Sequence, residues 1–161
     1  MNRLLHIALL ALLAAAALTS CNDNSCRENG SSLPLAVFYV NGSQQSVNGL
    51  TIMGIGAPGD SLLAEATAQS ELYLPLRATT TTTSYRISRQ VTTERLVSDT
   101  LTIDYQPVEY FHSVECGAMF NFDIKNVRYT KHGIDSVVVV TPLVTNSTLP
   151  ALRFFLKQFD Q

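Results

Sequence analysis

Few residues in this chain are of the types that do acid–base, nucleophilic or metal chemistry, and fewer still stand at useful spacings. Beyond the first twenty residues there are two histidines, His112 and His132. A hydrolase needs a nucleophile, a base within hydrogen-bond reach of it and a group that orients the base. His112-Ser113 with Asp104 or Glu115 can be drawn as such a triad, but no motif fixes that geometry, and a solvent-exposed strand-edge histidine is the simpler reading. Zinc wants three or four convergent ligands, and the only close pair is His112 with Cys116. Gly54, Gly56 and Gly59 lack the spacing, the lysine and the following helix of a phosphate loop, so they read as turn residues. The expectation is a protein without a catalytic site, metal or cofactor.

The cysteines carry more information. Residues 1–20 differ in composition from all that follows: Arg3 supplies a positive start, and Leu4 to Leu18 is an almost wholly apolar stretch of 15 residues. That length suits the core of a secretory signal better than a membrane span of about 20 residues. The stretch closes on Leu18-Thr19-Ser20-Cys21, which resembles the bacterial lipobox, in which the cysteine is acylated through its thiol and becomes the new N-terminus. Each buried CH₂ of an acyl chain contributes about 0.8 kcal/mol, so two or three chains anchor firmly. With Cys21 acylated, Cys26 and Cys116 remain, and an exported compartment permits a bridge between them. It would close a loop of roughly ninety residues and stabilise by on the order of 4 to 5 kcal/mol in the chain-entropy model. Two buried free thiols are the alternative.

These residues must be positioned by one small domain. The expected division is 1–20 signal peptide, 21–32 lipidated cysteine and polar tether, and 33–161 a single globular unit, since the 141 residues from Cys21 to Gln161 suffice for one core and hardly for two. The formal net charge is −2, with Lys and Arg scattered, so no basic stripe for nucleic acid exists. Tyr85 and Ile87, Leu101, Ile103 and Tyr105, and Phe120, Phe122 and Ile124 alternate with polar neighbours as half-buried strands do. Asn41-Gly42 marks a tight turn after an apolar run ending at Val40. Val137 to Val140 is continuously apolar and reads as a strand covered on both faces. Asp60 to Ser70 has helix-favouring Leu and Ala and is expected to form an irregular excursion or one helical turn. Ala151 to Phe159 fits a strand or a helix, and strand is preferred beside strand neighbours. The expected fold is all-β, an immunoglobulin-like antiparallel β-sandwich of about seven or eight strands.

The chain resembles an uncharacterised family of small lipoproteins from the Bacteroidota, catalogued as domain of unknown function 6452. Cys21 and Cys26, the Leu33 to Tyr39 strand, Leu74-Pro75-Leu76 and the stretch Asp99 to Gly117 carry the resemblance. It implies lineage and compartment, and no activity. In that phylum, Asp60-Ser61-Leu62, Asp99-Thr100-Leu101 and Asp135-Ser136-Val137 each resemble the acceptor triplet of a general O-glycosylation system, which makes Ser61, Thr100 and Ser136 candidates. A polar turn entering a strand produces the same triplet. The expected function is a non-catalytic binding or structural module of the cell envelope, lipid-anchored in the outer membrane and facing the periplasm, with the cell surface as the other placement. Its partners are the bilayer and another envelope protein or a glycan. An envelope hydrolase using His112 and a small-ligand carrier are the competing readings. A bridge at Cys26 would leave a free tether of about five steps of 3.5 Å, roughly 18 Å, which holds the domain against the membrane.

Overall fold

The computed structural model describes residues 32–59, 61–114 and 116–159. The signal peptide, Cys21, Cys26 and most of the expected tether lie outside them. Ser32 does not behave as tether: it is buried, and its hydroxyl donates to Asn121 Oδ1 at 2.8 Å.

The described residues form strands and no helix. In chain order the strands are β1 (Leu35–Val40), β2 (Ser43–Gln44), β3 (Val47–Ile55), β4 (Leu62–Gln69), β5 (Glu71–Tyr73), β6 (Thr82–Gln90), β7 (Leu96–Ser113), β8 (Gly117–Tyr129), β9 (Ile134–Val139), β10 (Leu143–Val144) and β11 (Pro150–Leu156). β2, β5 and β10 have only two or three residues, so eight longer strands make the body. They build two sheets. The larger runs β10-β8-β7-β6-β3-β4 and curls as half of a barrel; the smaller runs β2-β1-β11-β9, with β5 also on β1.

Every pairing is antiparallel except one: β1 and β11 run parallel, Ala36 beside Leu152 and Phe38 beside Phe154. The wholly antiparallel expectation fails there: chain topology sets β1 beside β11 in the same direction, and β1 is an interior strand. It has β11 on one edge and β5 and β2 on the other, and the near-continuous apolar run Leu35–Val40 suits a strand with little access to water. Its hairpin to β2 is the two-residue loop Asn41-Gly42, both at positive φ, which matches the turn to the twist of the strands it joins.

The core lies between the sheets. Ala36, Phe38, Leu152, Phe154 and Leu156 meet Leu50, Ile52, Ile87, Leu101, Ile103 and Phe122, and the rings of Phe38 and Phe154 stand 5.4 Å apart. Two sequence expectations are corrected. Residues 62–69 form β4 and not a helical turn, because pairing to β3 overrides local propensity, with register shifts and a positive φ at Ala66 absorbing the misfit. Val137 to Val140 is not covered on both faces: β9 is an edge strand whose Val137 and Val139 pack inward while Val138 is 47% exposed.

Asp99 lies on the core side of β7, in step with Leu101, Ile103 and Tyr105, and it organises the turn from β8 to β9. One carboxylate oxygen accepts the Thr130 hydroxyl at 2.6 Å and the His132 amide at 2.7 Å; the other accepts the Gly133 and Ile134 amides at 2.6 and 2.8 Å. Gly133 fits closely here: a Cβ would stand 3.0 Å from Val97 Cγ1 and 3.4 Å from the carboxylate. Burial works to raise the Asp99 pKa, but the four donated bonds outweigh it and hold the group below the usual carboxylate range.

Asp99→Asn should therefore cost about 3 kcal/mol at neutral pH, because in either orientation its amide nitrogen would face at least one backbone amide donor. The ionised group stabilises fully above the ordinary aspartate pKa of about 4, and that contribution is lost as pH falls through the depressed folded value. Urea unfolding of both proteins between pH 7 and pH 3 checks this: the gap in stability should narrow on acidification, and a constant gap contradicts it.

Candidate functional site

Where the larger sheet meets the connection from β5 to β6, a cleft of about 250 Å³ opens between Gly54, Ala57, Ser61 and Leu63 on one side and Pro75, Leu76, Arg77, Thr83 and Tyr85 on the other. The segment after β5 crosses from the smaller sheet to the larger, pinned by Leu74, whose amide donates to the Pro34 carbonyl and whose side chain is fully buried. Pro75 and Leu76 thus line the cleft, and the chain leaves β5 before its proline, as the missing amide requires.

Polar groups around the cleft are engaged with one another. The Tyr85 hydroxyl donates to the Pro75 carbonyl, and burial, ahead of the neighbouring Tyr105, pushes its pKa well above that of a free phenol. That phenol stays protonated and is no general base. The Tyr105 hydroxyl sits at the centre of a small network: it accepts the Arg77 amide at 3.0 Å, donates to the Arg77 carbonyl at 2.9 Å, and contacts the hydroxyls of Thr83 at 2.7 Å and Thr80 at 3.2 Å. Arg77 extends to the Ile55 carbonyl at 3.3 Å. The network closes the open end of the sandwich and leaves the cleft walls mostly apolar.

Among the described residues, Asp104 does not join His112 and Ser113 in a triad. His112 is exposed on β7 with its ring 6.0 Å from that of Tyr110, and Asp104 is eight residues back along the same strand, about 27 Å away at strand rise. Asp104 instead pairs with Arg128 through two bonds of 2.9 and 3.1 Å and holds the Thr82 hydroxyl; these bonds, that to Arg128 first, lower its pKa. Ser113 Oγ accepts the Cys116 amide at 3.1 Å, a turn-closing bond at the tip of the β7–β8 hairpin. Glu115 lies outside the described residues. Cys116 is not a free thiol. His132 Nδ1 lies 3.0 Å from the Ser98 carbonyl and 3.2 Å from Asp99, so it belongs to the turn. Among the described residues no three His, Cys, Asp or Glu side chains gather as a metal site would need.

The three candidate glycan acceptors are scattered. Ser61 and Thr100 are exposed, and Ser136 is half-buried on β9. Asp60 is not described. The triplet at 99–101 has a structural account of its own, with a buried turn-holding Asp99, an outward Thr100 and a core Leu101.

Sequence reasoning missed a second surface. Register places Tyr39, Phe155 and Ser136 side by side on the outer face of the smaller sheet, with Arg153 and Val138 in the next row beside a buried Val37, and a buried Leu35 beside the exposed Tyr73 beyond. The Tyr39 and Phe155 rings are 5.3 Å apart, and the Arg153 guanidinium lies 5.9 Å from the Tyr39 ring centre. The patch continues into an open depression of about 410 Å³ bordered by Asn41, Asp135 and Gln158. The signal was present in the alternation of Val37 with Tyr39 and of Arg153 with Phe155. It was illegible as a surface because the two strands pair across more than a hundred residues.

A model of a family of unknown function, DUF6452, matches residues 49–156, which is most of the chain, and the protein belongs to that family. No curated protein and no solved structure matches. The matched region starts after β1 and β2, although β1 supplies Ala36 and Phe38 to the core, so the folded unit is longer than the match.

Tyr105→Phe removes the centre of the network while preserving the ring that packs edge-on to Phe122 at 5.4 Å. It should lower stability by about 1 to 3 kcal/mol, since the Arg77 amide loses its partner. Amide exchange should quicken most over residues 77–83. An unchanged unfolding midpoint would show that the network carries no load.

Proposed function

We propose that this member of the family is a non-catalytic module of the cell envelope, held to a membrane by acylated Cys21 and binding another membrane-bound protein through the outer face of its smaller sheet. The observation that carries this reading is the Tyr39–Phe155–Arg153 patch. Paired rings under a guanidinium combine apolar area with a directional charge, the composition favoured in binding hot spots. Confinement of two proteins to one surface raises their mutual concentration, so a modest patch suffices.

The signal peptide, the lipobox at Cys21, a Cys26–Cys116 bridge and a periplasm-facing outer-membrane location form one consistent proposal. Its support is the composition of residues 1–21 and the engaged state of Cys116. Origin in the Bacteroidota and O-glycans on Ser61, Thr100 or Ser136 belong to the same proposal, and the exposure of Ser61 and Thr100 supports it. For the fold, kinship with immunoglobulin-like sandwiches is proposed on the strength of two facing sheets around one core.

The carrier reading has the cleft beside Tyr85 in its favour. At about 250 Å³ it falls just under the range of roughly 300 to 1,000 Å³ typical of small-molecule sites, which ranks that reading second.

Crosslinking in native membranes separates these readings. Arg153→Glu should abolish crosslinked partners while the protein stays membrane-bound, and Cys21→Ser should release it from membranes as an uncleaved precursor. A partner that survives Arg153→Glu overturns the patch, and a cleaved, membrane-bound Cys21→Ser protein overturns the anchor.

A further inference from the structure

β7 and β8 run on beyond the rest of their sheet. β6 pairs with β7 only as far as Asp104, and β10 pairs with β8 only at Phe122 and Asp123. From Val108 to Ser113 and from Gly117 to Asn121 the two strands pair with each other alone. A two-stranded ribbon is marginally stable in water and needs something to cover it. This one also exposes large apolar side chains beside Glu109 and His112: Val108 is 41% exposed, Phe111 69% and Val114 87%. Between Gln106 and Asn121 there are two carboxylates and neither Lys nor Arg, so attraction to an acidic surface does not account for it.

The ribbon is also where the N-terminal chain joins the fold. Ser32 bonds to Asn121, at the ribbon's base. From there the tip at Val114 is about 20 Å away, six residues at strand rise. Cys21 lies eleven residues before Ser32, a reach of at most about 38 Å, and only five before Cys26, roughly 18 Å, which the proposed bridge would hold at Cys116 beside the tip. The segment bearing Cys21 therefore enters the fold beside the ribbon and can bring the tip to the same surface.

Resting on the reading of Cys21 as the lipid anchor, we infer that the β7–β8 tip enters the interfacial layer of the bilayer through Phe111 and Val114, as a second, non-covalent attachment that fixes how the domain faces the membrane. Tyr110 suits that depth, with an apolar ring and a polar hydroxyl. Insertion is apolar in origin, so neutral phosphatidylcholine is sufficient and salt has little effect.

The chain has no tryptophan, so Phe111→Trp and Leu96→Trp each introduce a single reporter, at exposed positions near opposite ends of β7. The full-length acylated protein is purified from membranes and reconstituted into phosphatidylcholine vesicles with or without lipids brominated near the headgroup. For a tip lying about 5 to 10 Å deep, the Phe111→Trp variant should shift to the blue and lose about half its emission to the brominated lipid, with the Leu96→Trp variant unaffected. Flotation with the vesicles but no quenching of the Phe111→Trp variant overturns the inference and leaves the anchor standing. A blue shift without quenching means that protein covers the tip, a second copy or the chain's own N-terminal segment, and also overturns it. Equal quenching at both positions overturns the fixed orientation. Failure to float overturns the anchor and this inference together.

Discussion

The parallel pairing of β1 with β11 joins the beginning of the folded unit to its end, and most other features depend on it. Six register partners along Leu35–Val40 place Ala36 and Phe38 against Leu152 and Phe154 at the centre of the smaller sheet. Truncating a buried Phe in such a position typically costs about 3 to 5 kcal/mol. β5 and β2 occupy the other edge of β1, and the flanking backbone is tied in as well: the Phe38 amide donates to the Ser70 carbonyl and the Leu74 amide to that of Pro34. A chain entering through such a strand is clamped from Ser32 onward.

Two polar groups settle how the sheets close at their ends. Asp99 gathers the β8–β9 turn and Tyr105 gathers the crossing from β5 to β6, each from the core side of β7 and six residues apart on that strand. Both satisfy several donors or acceptors that would otherwise be buried without partners, the condition under which a polar core group specifies one arrangement. Arg89, at the same end as Asp99, is the exception. Its Nε is buried without a protein partner among the described residues, while its guanidinium donates to the Lys157 carbonyl and lies 5.9 Å from the Phe159 ring.

Much of the β content was legible. The alternations at Tyr85–Ile87, Leu101–Tyr105 and Phe120–Ile124 fall in β6, β7 and β8, and the turn at Asn41-Gly42 stands where its dipeptide placed it. What stayed illegible depends on pairing. Local propensity at Leu62–Ala66 favours helix, and only the neighbouring β3 makes it strand. An apolar run such as Val137–Val140 looks alike in an edge strand and an interior one, and the parallel partner of β11 is set by topology. Pro107 within β7 is tolerated because pairing to β6 has ended by then, which no local pattern announces. The role of Asp99 was within reach, since extending the two-residue period back from Leu101 puts a carboxylate on the core face, where it needs partners. For the site, the outer-face patch required knowing that Tyr39 and Phe155 are neighbours.

The N-terminal strand is the mechanical link between the proposed membrane attachment and two surfaces, the aromatic face of the smaller sheet and the projecting ribbon. That link is sound only if β1 stays in its sheet for as long as the protein stays folded. Local detachment would leave only the proposed Cys26–Cys116 bridge between the domain and its anchor, and would leave β11 with an open edge. Native-state hydrogen exchange of the backbone amides of Phe38, Val40 and Phe154 tests this most directly. The account predicts that all three exchange only through global unfolding, with protection equal to the full stability measured by urea and with the same denaturant dependence. Exchange of Phe38 and Val40 through a smaller, denaturant-insensitive opening, while Phe154 remains at the global limit, would contradict it.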